Sequence, residues 1–320
     1  MKTRLLTASD ISKIINMSDV LKAVETAFRE YGLGQAKMPP KLYLDLKQFN
    51  GDLRAMPAFV ENSAGLKWVS VYPENPGKDL PTVMAMLILN DPKTGFPLAI
   101  MDATRITSFR TGAAGGIAAK YLARPNSKTL GLVGAGAQAK TQLLALLENF
   151  QFSNIYIWSL RDNEFEGFKD TFNALPIKKA SIEEAAGCDI VCTTTPARGF
   201  IVKKEWIKPG THINAIGADA PGKQEIDPRI LKEAKVVVDD IAQAQHSGEI
   251  NVAVREGIFS IDDIYVSLGE IVAGKKAGRV DNEITVFDST GLAIQDIATA
   301  HMLFEKAKQN NIGHDFDVIG

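Results

Sequence analysis

The run Gly131-Leu-Val-Gly134-Ala-Gly136-Ala-Gln138-Ala139 leaves few folds open, because within it an apolar strand must turn sharply into an amphipathic helix. Thr129 to Val133 predicts a buried strand, Gly134 permits the tight turn, and Gly136 removes a side chain so that backbone N–H groups can approach an anion. Ala139 lets a helix over Ala137 to Phe150 pack closely on that strand, its positive N-terminus facing the same point. A glycine triplet alone also marks ordinary tight turns. The flanking strand and helix select the other reading, a cradle for a dinucleotide pyrophosphate contacted by Gly134, Gly136, Ala137 and Gln138.

Downstream, apolar strands recur with helices between them: Ile155 to Trp158, Asp189 to Thr194, His212 to Gly217, Val236 to Asp239 and Ile284 to Phe287. Near-continuous apolar strands of this kind belong to a parallel sheet covered on both faces, so the expected fold is α/β, a Rossmann-type doubly wound sheet. The first third differs. A helical pattern over residues 8 to 34 precedes short alternating strands at Leu42 to Leu46, Leu53 to Pro57, Leu66 to Tyr72, Thr82 to Asn90 and Phe96 to Asp102, an α+β texture. A small-residue helix over Ser108 to Ala123 leads into the glycine turn, and a last helix, Ala293 to Lys308, is expected to return to the first domain. The 320 residues suit two domains, 1–115 with 296–320 and 116–295.

A net charge of −2 with mixed signs provides no basic field for nucleic acid. No window reaches 18 uninterrupted apolar residues and the first ten lack a signal-peptide core, so a cytoplasmic chain without membrane partners is expected. Cys188 and Cys192 lie at an apolar strand and read as buried thiols; four scattered histidines argue against a catalytic metal.

After the second strand of the dinucleotide unit, an acid would read a ribose 2′-hydroxyl; here stand Ser159, Leu160, Arg161 and Asp162. Ser159 and Arg161 favour NADP over NAD, as ligands of a 2′-phosphate, although Arg161 also reads as a surface residue and Asp162 as a helix cap. In the first domain Lys41, Arg54, Lys67 and Arg110 sit in or beside apolar segments. Singly each suits a solvated position, but together they suggest a carboxylate pocket, in which Arg offers a bidentate fork and a buried Lys a proton donor near neutral pH. Asp219, in Gly217-Ala-Asp219-Ala-Pro221-Gly222-Lys223 at a strand's carboxyl end, reads either as an acid/base group or as turn chemistry. His246-Ser-Gly-Glu249 reads either as a polar turn near the cofactor or as a helix-to-loop junction, and Asp288-Ser-Thr290-Gly291 either as a neighbour of the nicotinamide end, Thr290 foremost, or as a helix N-terminus capped by Ser289 or Thr290.

With these segments, and with Lys37-Met-Pro-Pro-Lys41, Gly51-Asp-Leu-Arg-Ala-Met-Pro57, Gly65-Leu-Lys-Trp68, Leu80-Pro-Thr-Val-Met84 and Ser108-Phe-Arg-Thr-Gly-Ala-Ala-Gly-Gly116, the chain resembles the ornithine cyclodeaminase and mu-crystallin family over nearly its whole length. It looks most similar to the archaeal-type alanine dehydrogenase branch. The resemblance implies a homodimer whose first domain supplies dimer contacts and substrate groups and whose second binds NAD or NADP. It further implies that Lys67 and Arg110 hold the substrate carboxylate or polarise its carbonyl, and that Asp219 is the acid/base. Cyclodeaminases of the family carry Glu where this chain has Arg54, and Arg where it has Lys41. A cation at position 54 repels ornithine's distal ammonium and welcomes a carboxylate, so the resemblance points to a dehydrogenase of a small amino acid or 2-oxo acid, alanine foremost. Cyclodeamination of ornithine, ketimine reduction and non-catalytic NADPH-dependent binding are the alternatives it carries.

Overall fold

The computed structural model describes residues 2–319, which form two compact units: one runs to Arg110 and resumes at Leu292, the other is Thr111–Gly291.

The first unit begins with β1 (Thr3–Leu6), α1 (Ala8–Ile14) and α2 (Met17–Gly32). The helical pattern over residues 8 to 34 is thus two helices rather than one. Ile15 and Asn16 are extended, and the Asn16 side chain accepts from Asp19 N at 2.9 Å, so a capping residue restarts the helix. Val20, Ala23, Val24, Ala27 and Phe28 share the buried face of α2, the spacing of an amphipathic helix. An antiparallel meander follows: β2 (Leu42–Leu46), β3 (Gly51–Val60), β4 (Ser63–Val71), β5 (Val83–Asn90) and β6 (Pro97–Asp102). Glu61 and Asn62, both at positive φ, close the β3–β4 hairpin with the twist that two-residue turns require. The division between the units falls within α3 (Thr104–Leu122).

The second unit holds β7 (Thr129–Val133), α4 (Ala137–Leu147), β8 (Asn154–Trp158), α5 (Asp162–Thr171), β9 (Ile177–Lys179), α6 (Ile182–Ala186) and β10 (Ile190–Thr193). Next come β11 (Arg198–Val202), β12 (His212–Ala215), β13 (Gln224–Ile226), α7 (Pro228–Glu233) and β14 (Lys235–Val238). It closes with α8 (Ile241–Ala244), α9 (Ile250–Arg255), β15 (Val266–Ser267), α10 (Leu268–Val272) and β16 (Thr285–Asp288). Eight of these strands form one wholly parallel sheet in the order β15-β14-β16-β12-β10-β7-β8-β9. Successive residues of one strand enter different cores: Ile190 and Cys192 pack with α4 and α5, whereas Val191 packs with α6, α7 and α9. The sheet is therefore covered on both faces, a Rossmann-type arrangement. Strand order reverses between β7 and β10, and the loops leaving their carboxyl ends mark the switch point where such sheets bind ligands.

The chain re-enters the first unit with α11 (Ala293–Gln309), packed on α2, β3 and β4, and β17 (His314–Phe316). The sheet there reads β17-β1-β6-β5-β4-β3-β2, with β1 and β6 parallel and its other pairs antiparallel. Its two faces contrast. Arg54, Met56, Ala58, Lys67, Val69, Leu87 and Leu89 are buried on one, while Leu42, Leu44, Trp68, Met86 and Ile88 are exposed.

Candidate functional site

In the first unit, pairing of β3 with β4 sets Met56 opposite Lys67 and Arg54 opposite Val69, so both cations share the buried sheet face. Lys67 is 1% exposed, and its Nζ lies 2.7 Å from Asp296 Oδ2. Asp296 belongs to the first turn of α11, and its Oδ1 accepts from Arg110 Nε at 2.9 Å, while Gln295 Oε1 accepts from Arg110 Nη1 at 2.9 Å. Two cations thus share one wholly buried carboxylate. Burial, then Arg110, pushes the Lys67 ammonium down from 10.5 to about 7; Asp296 opposes this, and Lys41 adds to it. Arg54 forms a two-pronged pair with Asp52 of its own strand, at 2.5 and 3.1 Å, and its guanidinium lies 5.1 Å from the centre of the Tyr43 ring, its neighbour in register on β2. Lys41, Arg54, Lys67 and Arg110, suggested by their odd place among apolar residues, all lie in this unit, and Arg110 and Lys41 are both within electrostatic reach of Lys67. Sequence reasoning missed Asp296 and Gln295. The available signal was an acid and an amide in the interior of an apolar helix, Ala293-Ile-Gln295-Asp296-Ile-Ala.

In the second unit, Gly134 sits at φ +113, and a Cβ there would lie 2.5 Å from Thr194 Oγ1, so the loops after β7 and β10 touch only because this residue is glycine. Gly136 is exposed, open space surrounds the position of its missing Cβ, and it precedes α4 without any side-chain cap. Ala137 and Gln138 begin that helix, so its first-turn N–H groups remain available to an anion, and Ala139 is fully buried on the sheet. A pyrophosphate fits this cradle. At the end of β8, Ser159 Oγ donates to Arg161 O at 3.0 Å and the Arg161 side chain pairs with Glu164. Asp162 does not cap α5; the cap position is Arg161, and Asp162 pairs with Lys179 at 2.7 Å.

Asp219 lies on the turn after β12, its Oδ1 2.5 Å from Lys223 Nζ. Gly222 N donates to Asn251 Oδ1 at 2.9 Å, and Asn251 Nδ2 donates to Lys223 O at 3.0 Å, so α9 holds the turn. Thr290 is not a helix cap, since α11 starts beyond it with Leu292 at the cap position; its N–H and hydroxyl donate to Asp239 at 2.7 and 2.8 Å. His246-Ser-Gly-Glu249 lies at the junction between α8 and α9, and Glu249 is wholly buried there. Cys188 and Cys192 are free buried thiols, each pushed up to about 12 by burial. Among the described residues no group of His, Cys, Asp or Glu is placed to hold a metal ion, and no helix is long and apolar enough to cross a membrane.

A family model described as the ornithine cyclodeaminase/mu-crystallin family matches residues 1–311. An alanine dehydrogenase of Archaeoglobus fulgidus is 54% identical over 318 residues, 98% of each chain. Among solved structures, an archaeal alanine dehydrogenase dimer with bound NAD superposes at a TM-score of 0.97 with 52% identity over 100% of both chains. A Thermococcus litoralis Delta(1)-pyrroline-2-carboxylate reductase in complex with NADH and L-proline superposes at 0.95 with 40% identity, covering 98% of this chain and 100% of that one.

Proposed function

We propose, starting from the fact that this chain belongs to the ornithine cyclodeaminase/mu-crystallin family, that it is an NAD(P)-dependent L-alanine dehydrogenase, converting alanine to pyruvate and ammonia and back. The observation that carries the reading is the buried array in which Lys67 and Arg110 share the single carboxylate of Asp296. Two desolvated cations on one acid leave positive charge that a bound carboxylate neutralises. Arg110 then holds the acid head, Arg54 and Lys41 add positive charge beside it, and Lys67, with its ammonium near 7, exchanges a proton with the oxygen or nitrogen on the substrate α-carbon. Asp219, paired with Lys223, hands a proton to or from ammonia or water.

The Gly134–Gln138 turn and the start of α4 would hold the pyrophosphate, and the nicotinamide, when bound, accepts or supplies the hydride. Ser159 in the place of an acid directly after β8 and the presence of Arg161 support NADP, while the Arg161–Glu164 pair and the NAD in the archaeal dimer support NAD. The ratio of kcat/KM for the two cofactors distinguishes them. The exposed sheet face with Leu42, Leu44, Trp68, Met86 and Ile88 supports a homodimer, since so much apolar surface is unusual on a monomer. The sequence character and the lack of a membrane-spanning helix among the described residues support a cytoplasmic location.

Initial rates with L-alanine and each dinucleotide test the assignment: reduction of NAD or NADP is expected, and folded protein that reduces neither refutes it. Ornithine converted to proline without net cofactor reduction would favour cyclodeamination instead.

A further inference from the structure

The acid/base role proposed for Asp219 depends on a turn that has no regular secondary structure between β12 and β13, and buried carboxylates anchor it. Glu225, wholly buried on β13, accepts from Thr195 N at 2.6 Å, Thr195 Oγ1 at 2.7 Å and Gly217 N at 2.8 Å. Its own N–H donates to Glu249, 2.8 Å from Oε1, which also accepts from Ile226 N at 2.7 Å. Glu249 N and Ile250 N in turn donate to Asp288 at the end of β16, at 2.8 and 3.1 Å. Each acid therefore fixes the backbone that carries the next, from β16 through the start of α9 and β13 to the loops after β10 and β12.

Gly217 shows how tight the last link is. A Cβ on it would fall 2.1 Å from Thr195 O and 2.6 Å from Glu225 Oε2. A carboxylate with no ion-pair partner among the described residues is costly to bury, and burial raises the Glu225 carboxyl to about 6, against the pull of the Thr195 and Gly217 hydrogen bonds. A side chain needed only to fill space would be apolar here. One needed to accept several N–H and O–H donors at once cannot be.

We infer that Glu225 is a positioning residue for the reaction: by accepting from Thr195 and Gly217 together, it locks the β10 and β12 loops and so sets where Asp219 can present its carboxylate. This rests on the assignment of Asp219 as the proton carrier. An amide at position 225 offers one acceptor oxygen and sets an NH2 group against the remaining donors. Glu225→Gln is therefore expected to lower kcat for alanine by about tenfold or more while KM for the dinucleotide changes by less than about threefold, the split expected when placement rather than binding is lost. Thr195→Val removes the hydroxyl that donates to Glu225 and accepts from Ala197 N at 3.4 Å, and is expected to act in the same direction by a few-fold. Asp227→Ala, which removes the cap of α7 on the same β13–α7 junction, serves as the comparison: its thermal midpoint should fall with kcat unchanged.

Amide hydrogen exchange supplies a reading independent of turnover. Peptides covering Thr195 and Gly217–Lys223 should exchange about tenfold faster in Glu225→Gln, with those covering β7 and β8 unchanged. Unchanged exchange at those loops in both variants overturns the inference. So does faster exchange with kcat intact in both, or a drop in kcat matched by Asp227→Ala. If wild-type protein reduces neither dinucleotide with alanine, the functional assignment fails instead, and the exchange comparison alone decides whether Glu225 locks the loops.

Discussion

The two units bury charge in opposite ways. In the first, cations dominate: Lys67 and Arg110 share Asp296, and side chain meets side chain. In the second, acids dominate: Glu225, Glu249 and Asp288 are wholly buried, and each takes backbone N–H groups as donors. Peptide N–H groups neutralise no charge, so burial and the neighbouring acid drive Glu249 well above the ordinary carboxyl range, whereas Lys67 is driven downward by burial and another cation. The contrast separates charge kept to meet a ligand from charge used as internal bracing. Brackets of the second kind can be filled by a neutral acid; the first kind requires an ion.

The largest break in this comparison is expected at the groups assigned to proton transfer. Lys67→Ala and Asp219→Asn should each lower kcat for alanine by about 10²–10⁴-fold without loss of dinucleotide binding, measured by steady-state rates and nicotinamide fluorescence. Turnover unchanged in both would remove the proposed roles. Next comes stability. Asp296→Asn strands two buried cations and should cost about 3–5 kcal/mol in denaturant unfolding, whereas Glu249→Gln replaces a carboxyl held towards its neutral form and should change stability by no more than about 1 kcal/mol at neutral pH. Equal losses in the two variants would erase the distinction.

The pH dependence sharpens it further. If the protonated Lys67 ammonium donates during reductive amination, kcat/KM in that direction falls as pH rises through about 7, and the oxidative direction rises over the same interval. The stability linkages run in opposite directions. The Lys67 pKa is lowered on folding, so the unfolded chain binds more protons between about 7 and 10.5 and stability rises with pH there; the Glu225 pKa is raised from 4.5 to about 6, so stability falls as pH climbs through that interval. Urea titrations across both windows in the wild type and in Glu225→Gln separate the two contributions, and the acid-side slope should flatten in the variant. The smallest effect is expected on the surface: Arg161→Ala should lower kcat/KM for NADP several-fold more than for NAD, and equal changes would remove Arg161 as a phosphate ligand.

Much of the second unit was legible because its signals are local. Glycine spacing, a five-residue apolar strand and a helix opening directly after Gly136 predicted β7 and α4 to within a few residues at their ends. The short edge strands β9 and β15 were not foreseen, since two or three residues carry no measurable periodicity, and β1 and β17 depend on partners distant in sequence. Within the first-unit site the four cations stood out as charges in apolar surroundings, but Asp296 and Gln295 did not, because on α11 nothing in the neighbouring residues says what they face. The cap readings of Asp162 and Thr290, each one of two alternatives, failed for a related reason. Asp and Thr suit several roles, and contacts with Lys179 and Asp239 chose among them.

By itself, the order of residues determined the parallel sheet, the glycine cradle and the presence of misplaced cations, since backbone sterics and the exclusion of charge from apolar segments act over a few neighbours. Only the tertiary structure decided which acid the cations share, and that Glu225, Glu249 and Asp288 brace successive loops. Those pairings join residues 8 to 229 positions apart, and a hydrogen bond selects its partner by a distance of about 3 Å in space, a quantity no local pattern encodes.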